Sequence, residues 1–98
     1  MNAPSFGLIG LGVMGQNLAL NIASHGFPLV VYNRTGERTE RFLARDEVQR
    51  KPIVGAFTIQ EFVEKLVPPR RILLMVQAGK PVDDVLAQLR PYLAAGDV

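Results

Sequence analysis

The glycine cluster near the start of the chain is the feature whose residue types and spacing point most directly to chemistry. It consists of Gly10, Leu11, Gly12, Val13, Met14 and Gly15, in the pattern G-x-G-x-x-G. An apolar run typical of a buried strand precedes it, and a segment with helical periodicity follows it. Glycines between a strand and a helix allow a tight turn and a close approach of the backbone to a phosphate, to which the helix N-terminus presents free amides. We therefore predict that these residues bind a diphosphate group.

The residues that follow the second apolar run indicate which dinucleotide would carry that diphosphate. Asn33, Arg34 and Thr35 come directly after Leu29 to Tyr32, and no Asp or Glu lies between Met1 and Arg34. NAD-binding sites place an acidic residue here, which accepts hydrogen bonds from the ribose hydroxyls. Arg34 instead offers a permanent cation with forked donors that suit a 2′-phosphate, and its two neighbours add neutral donors. This predicts NADP, unless Arg34 is only an exposed strand-end residue and Thr35 only a helix cap.

A third candidate segment ends the fourth predicted strand. It consists of Val76, Gln77, Ala78 and Gly79. Ligands of open parallel sheets lie beyond the carboxyl ends of the strands, and small residues there let the backbone approach the ligand. From spacing alone, an ordinary loop between strand and helix is an equally good interpretation of this segment.

Catalytic and metal-binding patterns are not evident in the sequence. His25 is the only histidine and is expected at a helix C-terminus, where the helix dipole favours it. Asp83 and Asp84 are expected in the first turn of a helix, and Glu61 in a capping box. The chain has no cysteine, which excludes disulfides, thiol catalysis and cysteine-ligated metal. We predict no catalytic residue and no metal site.

Four strands and four helices are expected to position these residues. The first two predicted strands are Phe6 to Ile9 and Leu29 to Tyr32. A short edge strand is predicted at Ile53 and Val54, and a strand from Arg71 to Val76 has the apolar sequence of an interior strand. The first helix, Val13 to Ser24, is expected to be buried through Met14, Leu18 and Ile22 and to end at a left-handed Gly26.

The later helices are more charged than the first. Thr35 is expected to cap a helix with Phe42 and Leu43 facing inward and Arg38, Arg41 and Arg45 facing water. A helix from the Thr58 to Glu61 capping box runs through Leu66, and a last one, with Pro81 at its first position, ends near Gly96. Alternation of this kind predicts an α/β fold, a Rossmann-type doubly wound parallel sheet in the strand order 3-2-1-4. Because a strand would normally follow, we expect the sheet to be truncated after the fourth helix.

Composition limits the class of protein. The chain has 98 residues, 48% hydrophobic and 20% charged, which favours one folded domain spanning residues 1–98. A net charge of +2 is too small to create a nucleic-acid-binding field by itself. No run approaches the roughly 18 apolar residues of a membrane span, and no basic segment of a signal peptide is present. A cytoplasmic location without nucleic-acid or membrane partners is therefore expected.

Two long runs, Gly7 to Thr35 and Pro69 to Asp84, resemble the 6-phosphogluconate dehydrogenase family. The resemblance implies NADP-dependent oxidative decarboxylation of 6-phospho-D-gluconate to ribulose 5-phosphate and carbon dioxide, in the pentose phosphate pathway. It also implies that Gly10 to Gly15, Asn33 to Thr35 and Val76 to Ala78 contact NADP. Gln77 departs from the pattern, because many members carry lysine there.

The resemblance further implies that the catalytic residues and the interface of a homodimer lie in a helical domain beyond this chain, which alone would be inactive. The alternatives are the front end of a β-hydroxyacid dehydrogenase and a non-catalytic nucleotide-binding module. An apolar fourth strand at the edge of the sheet is expected to make the isolated chain self-associate.

Overall fold

Four parallel strands form the centre of the structure, a computed structural model that describes residues 4–67, 70–75 and 80–92. In chain order the elements are β1 (Phe6–Ile9), α1 (Val13–Ser24), β2 (Leu29–Tyr32), α2 (Gly36–Leu43), α3 (Asp46–Gln49), β3 (Ile53–Ala56), α4 (Ile59–Glu64), β4 (Arg71–Leu74), α5 (Lys80–Leu89) and a 3₁₀ turn (Arg90–Tyr92). The strand order is β3-β2-β1-β4, which confirms the predicted parallel sheet and its topology.

The register of the sheet brings the ends of all four strands into line. Ile9 at the end of β1 is paired with Tyr32 of β2 and with Leu74 of β4, and Tyr32 is paired with Ala56 of β3. The loops that follow β1 and β2 therefore leave the sheet side by side, at the carboxyl ends of the strands. This register places the glycine cluster next to Asn33, Arg34 and Thr35.

Both faces of the sheet are covered by a hydrophobic core, as expected for strands that read as continuous apolar runs. On one face, Leu8 and Val31 pack with Ala19 of α1 and Phe42 of α2. On the other face, Ile9 and Val30 pack with Phe62 of α4 and with further residues of α4 and α5. The doubly wound prediction is confirmed. No described helix is long and apolar enough to cross a membrane.

The inner face of α1 agrees only in part with the one that its large apolar residues predict. Met14 is 74% exposed and Leu18 is only half-buried, whereas Gly15, Ala19 and Ala23 are buried. A Cβ added at Gly15 would lie 1.9 Å from the backbone oxygen of Gly10, so the helix lies too close to the turn for a side chain there. Leu18 and Ile22 are half-buried and pack against the core, so the prediction is wrong at Met14 and misses the most buried face. It weighed hydrophobicity and ignored how near the backbones come.

Several helix boundaries also differ from the predictions. The short helix α3 was not predicted, α4 ends at Glu64 and not at Leu66, and α5 begins at Lys80, so that Pro81 is its second residue. A 3₁₀ turn follows the end of α5 at Leu89, and the expected end near Gly96 lies outside the described residues.

The two outer strands differ from the predictions in length or position. β3 extends to Ala56, beyond the predicted Val54. β4 ends at Leu74, short of the predicted Val76, which lies outside the described residues. The apolar sequence of β4 is typical of an interior strand, but β4 lies at the edge of the described sheet, as the strand order 3-2-1-4 predicts, with Leu73 38% exposed.

The predicted turn chemistry is confirmed at Gly26 and for the Thr58 cap, while the Glu61 carboxylate bonds the amide one residue before the N-cap. The hydroxyl of Thr58 accepts a hydrogen bond from the Glu61 amide at 3.0 Å, and the Glu61 carboxylate accepts one from the Phe57 amide at 2.7 Å. Gly26 has a φ of 86° after α1. Thr35 occupies the N-cap of α2, as predicted, but its side chain makes no capping hydrogen bond.

Thr39 carries the one buried side-chain oxygen or nitrogen among the described residues that lacks a hydrogen-bond partner. We expect Thr39→Val to raise the free energy of unfolding by about 1 kcal/mol, because a methyl group replaces an unpaired buried hydroxyl of similar size. Thr39→Ser is the matched control: it keeps the hydroxyl, loses a methyl group and should destabilise the protein. Urea denaturation of the three proteins measures both changes, and a Thr39→Val protein less stable than wild type would contradict the prediction.

Candidate functional site

The three glycines of the turn after β1 differ in their backbone conformation and in the space around them. Gly10 has a φ of 106°, which disfavours any other residue, and its amide donates to the Tyr32 carbonyl at 2.9 Å. Gly15 lies against the Gly10 carbonyl, as described above. Gly12 is extended, and a Cβ there would meet no protein atom within 4 Å. The bare backbone at Gly12 therefore faces open space.

The backbone amides at the N-terminus of α1 are available to an external anion. Gly12 is the N-cap residue, no side chain caps the helix and no acidic residue lies in its first turn. Val13 and Met14 in that turn are 78% and 74% exposed. The amides of a first helical turn have no partner within the helix and carry its positive dipole end. The arrangement can bind a phosphate group through backbone amides.

Asn33 joins the glycine turn to the loop that follows β2. Its Oδ1 accepts a hydrogen bond from the Leu11 amide at 2.8 Å, and its Nδ2 donates to the Thr35 carbonyl at 3.2 Å. The sequence analysis predicted that this side-chain amide is a free donor for a ligand. In the structure both ends of the amide contact the backbone, so Asn33 holds two loops in their relative positions.

The side chains of Arg34 and Thr35 are available to bind a ligand. Both are exposed, and neither side chain has a hydrogen-bond or ion-pair partner among the described residues. Arg34 lines a cleft of about 420 Å³ at the carboxyl ends of β1 and β2. The cleft is lined by Ile9, Gly10, Tyr32, Asn33, Arg34, Asp84, Val85, Ala87 and Gln88. Among the described residues, the cleft therefore offers one cation, one carboxylate and apolar walls.

The opposite wall of this cleft is a part of the site that the sequence reasoning missed. Asp84, Val85, Ala87 and Gln88 belong to α5, and Asp84 had been interpreted only as an acid in a first helical turn. Nothing in the local sequence of α5 identifies it as a wall. Only the packing of α5 across the sheet brings it opposite Arg34.

A second cleft, of about 330 Å³, lies against the other side of the glycine turn. It is lined by Leu11, Gly12, Val13, Gln16, Arg38, Arg41, Phe42 and Arg45. Arg41 pairs with Glu37 and Arg45 with Glu47, while Arg38 has no partner among the described residues. The three arginines were predicted to face water, and Arg45 is in fact half-buried.

The remaining candidate residues lie apart from these clefts or outside the structure. Val76, Gln77, Ala78 and Gly79 lie outside the described residues. His25 is exposed after the end of α1, with its Nδ1 2.8 Å from the Asn21 carbonyl oxygen. Within residues 4–67, 70–75 and 80–92, no three His, Cys, Asp or Glu side chains are grouped so that they could hold a metal ion.

Comparison with known proteins relates this chain to one family of dehydrogenases. A family model described as the NAD binding domain of 6-phosphogluconate dehydrogenase matches residues 5–98. The decarboxylating 6-phosphogluconate dehydrogenase of Synechococcus elongatus is 58% identical over 98 residues, which are 100% of this chain and 21% of that protein. The Candida albicans enzyme is 55% identical over 92 residues, 94% of this chain and 18% of that protein. The chain thus spans about a fifth of the length of these relatives.

Solved structures show the same relationship. The 6-phosphogluconate dehydrogenase of Plasmodium falciparum, studied in its apo form, with its cofactor NADP⁺ and with its substrate 6-phosphogluconate, matches with a TM-score of 0.83 and 43% identity. The match covers 95% of this chain and 20% of that one. A reductive aminase from Aspergillus terreus, 21% identical with a TM-score of 0.68, shares the fold.

The geometry of the turn predicts opposite outcomes for alanine at two of its glycines. Gly15→Ala should destabilise the protein by about 1–3 kcal/mol, because the new methyl group meets a backbone oxygen that cannot move without shifting α1. Gly12→Ala should change the free energy of unfolding by less than about 0.5 kcal/mol, because open space surrounds that position. Urea unfolding of both variants tests this, and equal destabilisation would contradict the geometry.

Proposed function

Because the chain belongs to the family of NAD-binding domains of 6-phosphogluconate dehydrogenase, we propose that it is the cofactor-binding part of such an enzyme and binds NADP. The enzyme would oxidise and decarboxylate 6-phospho-D-gluconate to ribulose 5-phosphate and carbon dioxide, a step of the pentose phosphate pathway and of gluconate utilisation. The relatives that span this chain are named decarboxylating 6-phosphogluconate dehydrogenases, which favours this proposal over a β-hydroxyacid dehydrogenase. The Plasmodium falciparum relative was solved with NADP⁺ and with 6-phosphogluconate.

One observation carries the choice of NADP over NAD: Arg34 is unpaired among the described residues and lines the cleft at the end of β2. NAD sites have a carboxylate at the end of this strand, and here the position is held by Asn33. The 2′-phosphate of NADP would lie on Arg34 and the free hydroxyl of Thr35. The residues of the third segment, Val76, Gln77 and Ala78, complete the proposed cofactor contacts on the strength of the family resemblance.

The rest of the cofactor would follow the surfaces that the glycine turn and α5 provide. The diphosphate would lie at the N-terminus of α1, where the bare backbone of Gly12 allows the closest approach. The adenosine would enter the 420 Å³ cleft against the apolar side chains of Val85 and Ala87. Asp84, in the same cleft, would accept a hydrogen bond from a neutral donor of the nucleotide and disfavour a second phosphate there.

Bound NADP would supply the hydride acceptor for oxidation of the sugar. The described residues of this chain bind and orient the cofactor, and we place proton transfer and decarboxylation on residues of the longer enzyme. The family resemblance further supports a cytoplasmic homodimer. The chain by itself should show no 6-phosphogluconate oxidation.

We expect Arg34→Ala to weaken NADP binding by roughly tenfold to a hundredfold, because charge-assisted hydrogen bonds to a phosphate contribute about 1.5 to 3 kcal/mol. NAD lacks the 2′-phosphate, so its affinity should change much less. Fluorescence titration of NADPH and NADH against the full-length enzyme measures both affinities. Arg50→Ala, which removes another exposed arginine at the end of α3, is the matched control and should leave both affinities unchanged. Equal losses for the two cofactors in Arg34→Ala would remove the main support for NADP.

We also propose that the isolated 98-residue chain self-associates through β4. This strand is at the edge of the described sheet, and its side chains include the exposed Leu73. Apolar edge strands pair readily with other chains, and a charged residue on the edge opposes this pairing. Sedimentation velocity should show association of the wild-type chain and a monomer for Leu73→Lys. Leu86→Lys, which places the same charge at an exposed leucine of α5, should behave as wild type. A wild-type chain that stays monomeric at high concentration would contradict the proposal.

A further inference from the structure

Two successive peptide groups of the glycine turn are each held by a side-chain amide. The first peptide group joins Gly10 to Leu11, and its N–H donates to Asn33 Oδ1 at 2.8 Å. The second joins Leu11 to Gly12, and its carbonyl oxygen accepts from Gln16 Nε2 at 2.9 Å. Leu11 itself is fully buried in the core that covers one face of the sheet.

These two hydrogen bonds fix the orientation of the Gly12 N–H and of the Gly10 carbonyl, two backbone groups next to the proposed anion site. A peptide group is planar and trans, so its N–H points opposite to its carbonyl. Gln16, by holding the Leu11 carbonyl, therefore also orients the N–H of Gly12, at the N-cap of α1. Asn33, by holding the Leu11 N–H, orients the Gly10 carbonyl, which lies against Gly15.

Gln16 is in turn oriented by Arg45. The Arg45 Nη1 donates to Gln16 Oε1 at 2.8 Å. A guanidinium can only donate hydrogen bonds, so it selects the oxygen end of the amide and leaves the nitrogen end for the Leu11 carbonyl. Without Arg45, the amide of Gln16 could rotate, and its oxygen would then repel the Leu11 carbonyl.

Arg45 is itself fixed where α2 meets α3. Its guanidinium lies 5.9 Å from the centre of the Phe42 ring and is paired with the carboxylate of Glu47. That pairing offsets the charge of Arg45, so its strongest effect on a ligand would be exerted through Gln16. Because Arg45 lies 29 positions after Gln16, the contact exists only in the folded chain.

We propose that Gln16 and Arg45 are positioning residues that preset the glycine turn for the cofactor diphosphate, a role that rests on the proposed function of the site. The diphosphate is common to NADP and NAD. Gln16 and Arg45 therefore act on the affinity for both cofactors, in contrast to Arg34, which acts on the choice between them. Their contributions are coupled because Arg45 works through the amide of Gln16.

The test is a double-mutant cycle with Gln16→Met and Arg45→Met in the full-length enzyme, titrated with NADPH and with NADH. Each single variant should weaken both cofactors by the same factor, roughly threefold to tenfold. The double variant should be no weaker than Gln16→Met alone. Gln60→Met removes an exposed glutamine of α4 whose side chain bonds only to Glu64 within the described part of the chain, and as the matched control it should bind like wild type.

Three results would overturn the proposal. One is a double variant whose loss is the product of the two single losses, since independent residues add in free energy. Another is a loss in Arg45→Met that disappears at high salt, which would mark a long-range charge effect. The last is wild-type affinity in Gln16→Glu, which keeps an acceptor for Arg45 but has no donor for the Leu11 carbonyl.

A second measurement needs no cofactor. Amide hydrogen exchange in the unliganded protein should be faster at Leu11 in Gln16→Met and Arg45→Met than in wild type, while Leu8 in β1 should stay equally protected. Unchanged exchange at Leu11 would overturn the proposal. If the wild-type protein bound neither cofactor, the proposed function would fail, and the exchange rates would still report whether the two residues hold the turn.

Discussion

The close approach of α1 to the end of β1 is the constraint on which the rest of the structure depends. Gly15 faces the Gly10 carbonyl with no room for a side chain, and the next residues on that face of the helix, Ala19 and Ala23, are small and buried. Large residues at these positions would lift the helix from the sheet. Because the helix starts just beyond the carboxyl end of β1, its positive end lies where the loops after β1 and β2 meet.

A second consequence of this geometry is that backbone groups, rather than charged side chains, form the centre of the site. The uncapped N-terminus of α1 can accept a diphosphate only if the turn before it keeps one conformation. Buried Leu11 and the amides of Asn33 and Gln16 supply this rigidity. Charged residues such as Arg34 and Arg38 line the clefts beside the turn and do not shape it.

The two clefts beside the turn differ in the charged residues that line them. Of the described residues, one arginine and one aspartate line the cleft towards α5, so that it carries both a cation and a hydrogen-bond acceptor. The cleft towards α2 is lined by three arginines, two of which are paired with glutamates of the same region. Although the family is described by NAD binding, the absence of an acidic residue before Glu37 favours a cofactor with a further phosphate.

The sequence by itself determined the fold class, the strand order and the glycine turn, because apolar runs and glycine spacing are local patterns. β1, β2 and α1 have the predicted limits, and Arg34 lines a cleft beside the turn. Only the tertiary structure decided which face of α1 is buried, since that depends on the distance between two backbones. It also decided that Asn33 holds the turn and that α5 forms a wall of the site, because these contacts join residues far apart in the chain, where no periodicity can reveal them. Gln16 contacts Leu11 only five positions away, but the Arg45 side chain that orients its amide lies 29 positions later.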